Sequence, residues 1–195
     1  MTEKIKIAIF ASGGGSNAEC IIQHFDNHPH IDVTLIVANK KEAHVLMRAE
    51  NHKIESWVHS QDDINNGGIL KKLEEKQIDF IALAGYLKKI GDDLISAFPN
   101  KIINVHPALL PKYGGKGMYG MNVHKAVVDA KEKVSGPTIH FVNENYDEGA
   151  IIAQYEVELN ENDSASEVAD KVLKLEHLHF AQCIENVISE SWERR

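Results

Sequence analysis

An amide, an imidazole and a carboxylate are the side chains of this chain whose types and spacing best suit chemistry. Asn104 and His106 lie two residues apart in an apolar run, and Asp147 follows further along, two residues before Gly149. Because the side chains of a strand alternate between its faces, Asn104 and His106 should point the same way. A carboxylate beside an imidazole raises the pKa of the imidazole and fixes its tautomer. The three groups together could stabilise an oxyanion and transfer a proton.

The residues around His106 also predict where this histidine lies. Pro107 cannot extend a central strand, so His106 should lie at or just past the carboxyl end of its strand. Open α/β sheets place ligands and chemistry at that end. His140, in the apolar segment 138–141, is a further candidate to line the same pocket. Taken singly, His106 could be a buried histidine that caps a strand and Asp147 a turn residue. Their combination, without a serine or cysteine nucleophile in these motifs, favours an attacking group carried by the substrate.

A glycine-rich turn follows the first predicted strand and precedes the first predicted helix. It comprises Ala11, Ser12, Gly13, Gly14, Gly15, Ser16 and Asn17. Glycines let the backbone approach a ligand closely, and a helix N-terminus offers amide groups to an anion. The turn matches neither Gly-x-Gly-x-x-Gly nor a P-loop, which disfavours a dinucleotide and favours a single phosphate. The alternative is a tight turn that Ser16 caps.

Strand-like and helix-like segments alternate along the chain, which predicts a doubly wound α/β fold. The fold should be one mostly parallel sheet with helices on both faces and a Rossmann-like N-terminal half. Strands are predicted at 5–11, 32–38, 54–58, 80–84, 101–105, 134–142 and 151–157. Helices are predicted at 16–25, 43–51, 62–76, 91–98, 121–130 and 164–191, the third interrupted or offset by two glycines. Ser164, or Asp163 before it, is the predicted N-cap of the last helix, and Glu167 lies three residues beyond Ser164, as in a capping box.

Composition and charge exclude several classes of function. The net charge of -8 argues against general nucleic-acid binding, which needs an extended basic face. No apolar stretch approaches the roughly 20 residues that span a bilayer, and we expect no signal peptide. The 11 histidines do not form a metal-binding motif, so no metal is expected. Cys20 and Cys183 could form one disulfide, but we expect them to be buried, reduced thiols of a cytoplasmic protein.

Four short segments together resemble the folate-dependent formyltransferases. They are residues 104–111, 13–17, 83–86 and 146–149, and the resemblance runs from the first strand to the last helix. It implies a formyltransferase-like fold and transfer of a formyl group from the co-substrate 10-formyltetrahydrofolate. The acceptor would be the primary amine of glycinamide ribonucleotide, in the de novo biosynthesis of purines. Two departures are Lys88 and Lys89, where the family carries an arginine and an apolar residue, and a long glycine-rich loop at 113–120.

The resemblance also implies roles for residues of this sequence. Asn104, His106 and Asp147 would be the catalytic trio. The remaining binding residues would be Gly15, Ser16 and Asn17 for the substrate phosphate, Glu176 for the ribose, and Leu87, Lys88, Lys89, Ile90 and Asn104 for the folate. Residues 1–195 would form a single domain, with a phosphate-binding half at about 1–100 and a catalytic and folate-binding half at about 101–195.

Other functions remain open at this point. The chain could formylate a different amine acceptor, or hydrolyse 10-formyltetrahydrofolate with water in place of the amine. It could also be a nucleotide-binding module without catalytic activity. The expected partners are small molecules alone, with no nucleic acid and no membrane, and the chain should be a monomer or a homodimer.

Overall fold

The computed structural model describes residues 4–193, with side chains up to residue 190. It divides into two compact units, Met1–Ile103 and Asn104–Arg195. The expectation that residues 1–195 form a single domain with two functional halves stays a prediction.

The first unit alternates parallel strands with helices. Its strands are β1 (Ile5–Ala11), β2 (Ile31–Ala38), β3 (Glu55–Val58), β4 (Phe80–Leu83) and the start of β5 (Ile102–His106). Its helices are α1 (Ser16–His24), α2 (Val45–Asn51), α3 (Gln61–Asn65), α4 (Gly68–Glu75) and α5 (Asp92–Ala97). These bounds match the predicted elements to within a few residues. The predicted interruption of the third helix is also confirmed, because Gly67 caps α4 in the left-handed conformation, with a φ of 73°.

Strands β1 and β4 form the centre of this unit. β1 pairs in parallel with β2 on one side and with β4 on the other, and Ile7 lies opposite both Val33 and Phe80. β2 pairs in parallel with β3 in turn. Every residue of β4 is buried, and so is β1 from Ile7 onward. Strands covered on both faces read as continuous apolar runs, which is why both were predictable from sequence.

The second unit contains the end of β5, two antiparallel strand pairs and two packed helices. Its further elements are α6 (Met121–Asp129), β6 (Val134–Ser135), β7 (Thr138–Phe141), β8 (Ile151–Gln154), β9 (Val157–Glu158) and α7 (Ala165–Glu193). β7 pairs with β8, and β6 pairs with β9 in a separate two-stranded sheet. The main sheet has the order β3-β2-β1-β4-β5-β7-β8, so the predicted α/β fold with a mostly parallel sheet is confirmed.

The two strands predicted at 134–142 and 151–157 are each split in two, so these two predictions are wrong. The break in the first strand falls at Gly136 and Pro137, between β6 and β7. A Cβ at Gly136 would lie 1.7 Å from the carbonyl oxygen of Tyr155, so the two backbones approach each other more closely than other residues allow. Pro137 has no N–H to donate to a sheet. The chain therefore leaves one sheet and enters the other at this pair.

Helix α7 begins at a capping box and packs against α6. The backbone N–H and hydroxyl of Ser164 both donate to the Glu167 carboxylate, and the Glu167 N–H donates back to the Ser164 hydroxyl at 3.3 Å. This arrangement confirms the predicted helix start. Val127 of α6 and Val168 and Val172 of α7 form a buried apolar cluster between the two helices.

We expect Ser164→Ala to destabilise the chain by about 1 kcal/mol, because the first turn of α7 loses its side-chain hydrogen bonds. For a chain of this length, the midpoint of thermal unfolding should fall by about 2–4 °C. Ser166→Ala is the matched control, since Ser166 is exposed within the same first turn. Alanine favours a helix, so the control should not lower the midpoint. Equal losses in both variants would contradict the capping role.

Two further expectations concern the membrane and the cysteines. Among residues 4–193, no helix is both long enough and apolar enough to cross a bilayer. Cys20 and Cys183 are free thiols, but only Cys183 is buried, so the expectation of two buried thiols is half wrong. Burial raises the pKa of the Cys183 thiol to about 11, which keeps it protonated at neutral pH.

Candidate active site

His106 is the last residue of β5, as predicted, and its side chain is buried in the second unit. Its Nε2 atom lies 2.7 Å from the backbone carbonyl oxygen of Tyr113. Because a carbonyl oxygen only accepts hydrogen bonds, Nε2 must carry a hydrogen. The other ring nitrogen, Nδ1, lies 3.5 Å from Oδ2 of Asp147. The imidazole is therefore held at one nitrogen by the backbone and faces a carboxylate at the other.

Asp147 lies in the connection between β7 and β8 with left-handed backbone geometry, at a φ of 58°. Its Oδ2 accepts the backbone N–H of Gly115 at 2.9 Å. The same carboxylate has its Oδ1 3.7 Å from Nε2 of His140. Only 13% of the Asp147 side chain is exposed. A backbone amide and two imidazoles thus surround one largely buried negative charge.

His140 joins this cluster and orients Asn104. Its Nδ1 lies 2.8 Å from the carbonyl oxygen of Phe141, so Nδ1 carries the hydrogen and Nε2 is the acceptor. Nε2 then accepts from Nδ2 of Asn104 at 3.1 Å. An amide nitrogen has two hydrogens, so the Asn104 amide can donate the second one to a ligand. The structure thus brings together Asn104, His106 and Asp147, and places His140, the further candidate for this pocket, in direct contact with Asn104.

The protonation of His106 differs from the sequence-based expectation. Burial lowers its pKa below the ordinary value of 6.5, and the neighbouring Asp147 carboxylate and Tyr113 carbonyl compensate only in part. The expected rise in the pKa of His106 is therefore wrong for the chain without substrate. For Asp147, burial raises the pKa, but the nearby His140 and His106 and the Gly115 amide outweigh it and hold the pKa below 3.8. The resting pair at neutral pH is a neutral imidazole and a carboxylate.

We expect the free energy of unfolding to decrease as the pH falls below about 6.5, the ordinary histidine value. The folded chain favours neutral His106, so this stabilisation is complete above the unfolded-state pKa and is lost as the pH falls through the folded-state pKa. Because the pKa of Asp147 is lowered in the folded chain, its ionised carboxylate also stabilises the fold, and this contribution is lost as the pH falls below 3.8, the ordinary pKa of an aspartate. Between about pH 7.5 and about pH 5, the free energy of unfolding measured in urea should fall less in His106→Gln than in wild type. An equal loss in both would contradict this assignment. His44→Gln, at an exposed histidine, is the control.

In the first unit, the glycine-rich turn is fastened to α2 by its carbonyl oxygens. The Gly13 oxygen accepts the Val45 N–H at 3.2 Å, and the Gly14 oxygen accepts Nε of Arg48 at 2.8 Å. Gly15 is the N-cap of α1 with a φ of 68°, and a Cβ there would lie 2.7 Å from the Val45 side chain. Two carbonyl oxygens that would repel an anion are thus already occupied, while the N-terminus of α1 has no capping side chain.

Arg48 adds a positive charge beside this turn. Its Nη1 lies 3.0 Å from the Glu19 carboxylate, which also accepts from Nε2 of His52 at 2.8 Å. Burial raises the pKa of Glu19, but hydrogen bonds from His52, Arg48 and Gln23 outweigh it and lower the pKa below its ordinary value. The ionised Glu19 therefore keeps the Arg48 guanidinium oriented toward the turn.

The remaining phosphate-site residues lie at the start of α1. Ser16 is the first residue of the helix and half-buried, and Asn17 is buried. The alternative that Ser16 caps the helix is wrong, because Gly15 occupies the N-cap position without a side chain. Glu176, the predicted ribose ligand, is buried within α7 of the second unit.

The predicted folate segment follows β4 in the first unit. Leu87, Lys88 and Lys89 are exposed, whereas the Ile90 side chain is buried. The Leu87 N–H donates to the hydroxyl oxygen of Ser12 at 2.9 Å. Ile90 can therefore contribute little more than its backbone to a ligand, and the other three residues remain available with their side chains.

Sequence reasoning missed four groups that hold these sites. They are the Tyr113 carbonyl, the Gly115 amide, the Arg48 guanidinium and the Ser12 hydroxyl. Backbone groups leave no signal in residue types, and Arg48 lies within a helix with no local motif. Ser12 is part of the predicted turn, but the sequence does not show that its hydroxyl accepts the distant Leu87 N–H. Within residues 4–193 no group of three or more His, Cys, Asp or Glu side chains could hold a metal ion, and the absence of a metal stays a prediction.

Comparison with known proteins relates this architecture to one family. The family model described as Formyl transferase matches residues 5–184. A protein of Arabidopsis thaliana named phosphoribosylglycinamide formyltransferase, chloroplastic, is 42% identical over 192 residues, which cover 95% of this chain. A phosphoribosylglycinamide formyltransferase of Bacillus subtilis (strain 168) is 36% identical over 189 residues, and the match covers 94% of each protein.

A solved structure shares the same fold. The crystal structure of phosphoribosylglycinamide formyltransferase from Bacillus halodurans superimposes with a TM-score of 0.85 at 34% sequence identity. The match covers 95% of this chain and 96% of that one. The chain spans 66% of the length of the Arabidopsis protein and 61% of its counterpart from Vigna unguiculata.

Proposed function

Because this chain belongs to the formyl transferase family, we propose that it transfers a formyl group from 10-formyltetrahydrofolate to the primary amine of glycinamide ribonucleotide. The observation that carries this proposal is the cluster of Asn104, His106 and Asp147, with His140 beside it. Such a cluster offers a donor to a developing oxyanion, a group that takes up a proton and a charge that stabilises the protonated form. The Bacillus subtilis relative of nearly equal length carries the name of this activity.

The first step is attack of the unprotonated amine nitrogen on the formyl carbon. A nitrogen–carbon bond forms, and the carbonyl electron pair moves to oxygen. The Asn104 amide, whose orientation His140 sets at 3.1 Å, donates its second hydrogen to this oxyanion. Much of the rate enhancement comes from holding the two substrates together in the reactive arrangement.

The second step moves one proton from the acceptor nitrogen to the folate. Neutral His106 takes up the proton that the attacking nitrogen loses, and Asp147 at 3.5 Å stabilises the resulting imidazolium. Because the two imidazolium nitrogens face Tyr113 and Asp147, the imidazolium stabilises the oxyanion through its positive charge until the intermediate collapses. The oxyanion electron pair then re-forms the carbonyl as the bond between the formyl carbon and the folate nitrogen N10 breaks, and N10 receives the proton from the His106 imidazolium. Asp147 keeps its charge throughout and acts through electrostatic stabilisation.

The remaining candidate residues bind the phosphate, the ribose and the folate. The backbone amides at Gly15, Ser16 and Asn17 bind the phosphate of glycinamide ribonucleotide at the N-terminus of α1, which lacks a capping side chain. Glu176 binds the ribose hydroxyl groups. The segment formed by Leu87, Lys88, Lys89 and Ile90 binds the folate, and its exposed lysines suit the negative glutamate tail of a folate. Folate binding is assigned to Asn104 as well.

The setting of the reaction is also a proposal. The two free thiols suit a reducing compartment such as the cytoplasm. Residues 1–195 would act as one formyltransferase domain, as a monomer or a homodimer, with small-molecule substrates and no bound metal, nucleic acid or membrane.

A formyl-transfer assay with and without the acceptor tests this function. A 10-formyltetrahydrofolate analogue whose deformylation changes absorbance is incubated with the chain, and glycinamide ribonucleotide is then added. Product that forms only with the ribonucleotide supports the proposal. Equal product without it means hydrolysis, and product with another amine alone means a different acceptor; either result overturns the proposed activity.

A further inference from the structure

Ser12 connects the glycine-rich turn to the predicted folate segment within the first unit. It follows β1 and precedes Gly13, and it is buried, with 5% of its surface exposed. Its hydroxyl oxygen accepts the Leu87 N–H at 2.9 Å, and its own N–H donates to the Gly85 carbonyl at 3.1 Å. Just before these bonds, the Ala84 N–H donates to the carbonyl oxygen of Phe10 at 2.8 Å. Residues 84–87 are therefore attached to the end of β1 by successive hydrogen bonds.

Tyr86, the residue between Gly85 and Leu87, is held by contacts of its side chain. Tyr86 packs edge-on against Phe10, with ring centroids 5.2 Å apart. Its hydroxyl lies 2.8 Å from Nε2 of the buried His59, whose Nδ1 donates to the Ser60 carbonyl at 3.0 Å. Tyr86 thus fixes the start of the folate segment on the core side. The next residue is held by the hydrogen bond from the Leu87 N–H to the Ser12 hydroxyl.

We propose that Ser12 is a positioning residue that couples phosphate binding at the turn to folate binding at Leu87. This inference rests on the proposed function of both segments. Ser12 is covalently bonded to Gly13 at the start of the turn and hydrogen-bonded to the first residue of the folate segment. An anion that orders the turn also restricts the Ser12 backbone, and this restriction strengthens the bond to the Leu87 amide. The second ligand then binds a segment that is already ordered, which gives positive cooperativity.

The coupling can be measured with a small probe that reaches the turn alone. Inorganic phosphate serves as the probe, and calorimetry gives the Kd of the folate analogue with and without saturating phosphate. We expect phosphate to tighten folate binding by about fivefold or more in the wild-type chain. In Ser12→Ala the ratio should fall to below about twofold, because the Leu87 amide loses its acceptor. Ser56→Ala, at an exposed serine of β3, is the matched control and should keep the wild-type ratio.

A second measurement uses the wild-type chain alone, so its result does not depend on whether a variant folds. In the wild-type chain, phosphate should slow hydrogen exchange of the Leu87 backbone N–H, because this group donates to the Ser12 hydroxyl oxygen. If both ligands bind but the folate Kd and the Leu87 exchange rate do not respond to phosphate, the coupling is overturned while the proposed function stands. An undiminished ratio in Ser12→Ala also overturns it. If phosphate does not bind the wild-type chain, the phosphate assignment in the proposed function fails, and the coupling fails with it.

Discussion

Asp147→Asn should lower kcat/KM for formyl transfer by about 10²–10³-fold, the effect of losing a transition-state stabilising group from a preorganised site. Asparagine has the same shape, tolerates the left-handed backbone at a φ of 58° and can still accept the Gly115 N–H. What it lacks is the negative charge 3.5 Å from Nδ1 of His106. Without that charge the imidazolium formed during the reaction loses its partner, and the loss should appear mainly in kcat.

The neighbouring residue provides the matched control for this prediction. Glu148→Gln removes the same unit of charge from an exposed side chain beside Asp147. Steady-state kinetics on both variants, with unfolding curves to verify their stability, should show a large loss in Asp147→Asn alone. Near-wild-type activity of Asp147→Asn would remove Asp147 from the mechanism. Comparable losses in both would mean that the general electrostatic potential matters, rather than this contact.

Gly15→Ala should damage both the fold of the first unit and phosphate binding. A Cβ at Gly15 would lie 2.7 Å from the Val45 side chain, on a backbone with a φ of 68°. Left-handed geometry and overpacking together should cost about 2–4 kcal/mol of stability. The start of α1 must also shift away from α2. Since a hydrogen bond to a charged group is worth about 1.5–3 kcal/mol, the KM for glycinamide ribonucleotide should rise about tenfold or more.

Gly13→Ala separates these effects from the loss of a glycine as such. A Cβ at Gly13 meets nothing within 4 Å, so urea unfolding should show little loss of stability for this variant. Stability equal to wild type in Gly15→Ala would show that α2 can move aside. An unchanged KM in a folded Gly15→Ala variant would show that the turn does not bind the phosphate.

Much of the fold could be predicted because its strands are continuous apolar runs bounded by polar turns. β1 was predicted with its observed bounds, Ile5–Ala11, and the capping box at Ser164 located the start of α7. The split of the strand predicted at 134–142 was missed because the apolar pattern on either side of Gly136 and Pro137 outweighed the turn signal of that pair. The close approach of Gly136 to Tyr155 is a tertiary feature that no local pattern contains.

The candidate site was predictable in its members and not in its electrostatics. Strand alternation and Pro107 placed Asn104 and His106 together, and Asp147 and His140, both named from the sequence, lie beside them in the structure. The direction of the His106 pKa was wrong because a sequence shows a neighbouring charge type but not the extent of burial. The Tyr113 carbonyl, which fixes the protonated nitrogen of His106, depends on the path of the loop alone.

The left-handed backbone at Asp147 also limits how this position can change during evolution. Glycine, asparagine and aspartate adopt that geometry at low cost, and other residues do so with strain. Of these three, aspartate alone carries a negative charge. Glutamate, its usual exchange partner, would keep the charge but strain the chain and displace the carboxylate from His106. Where activity depends on this charge, every substitution of Asp147 should therefore reduce activity or strain the backbone. We expect Asp147 to be retained among active relatives, while exposed neighbours such as Glu148 vary.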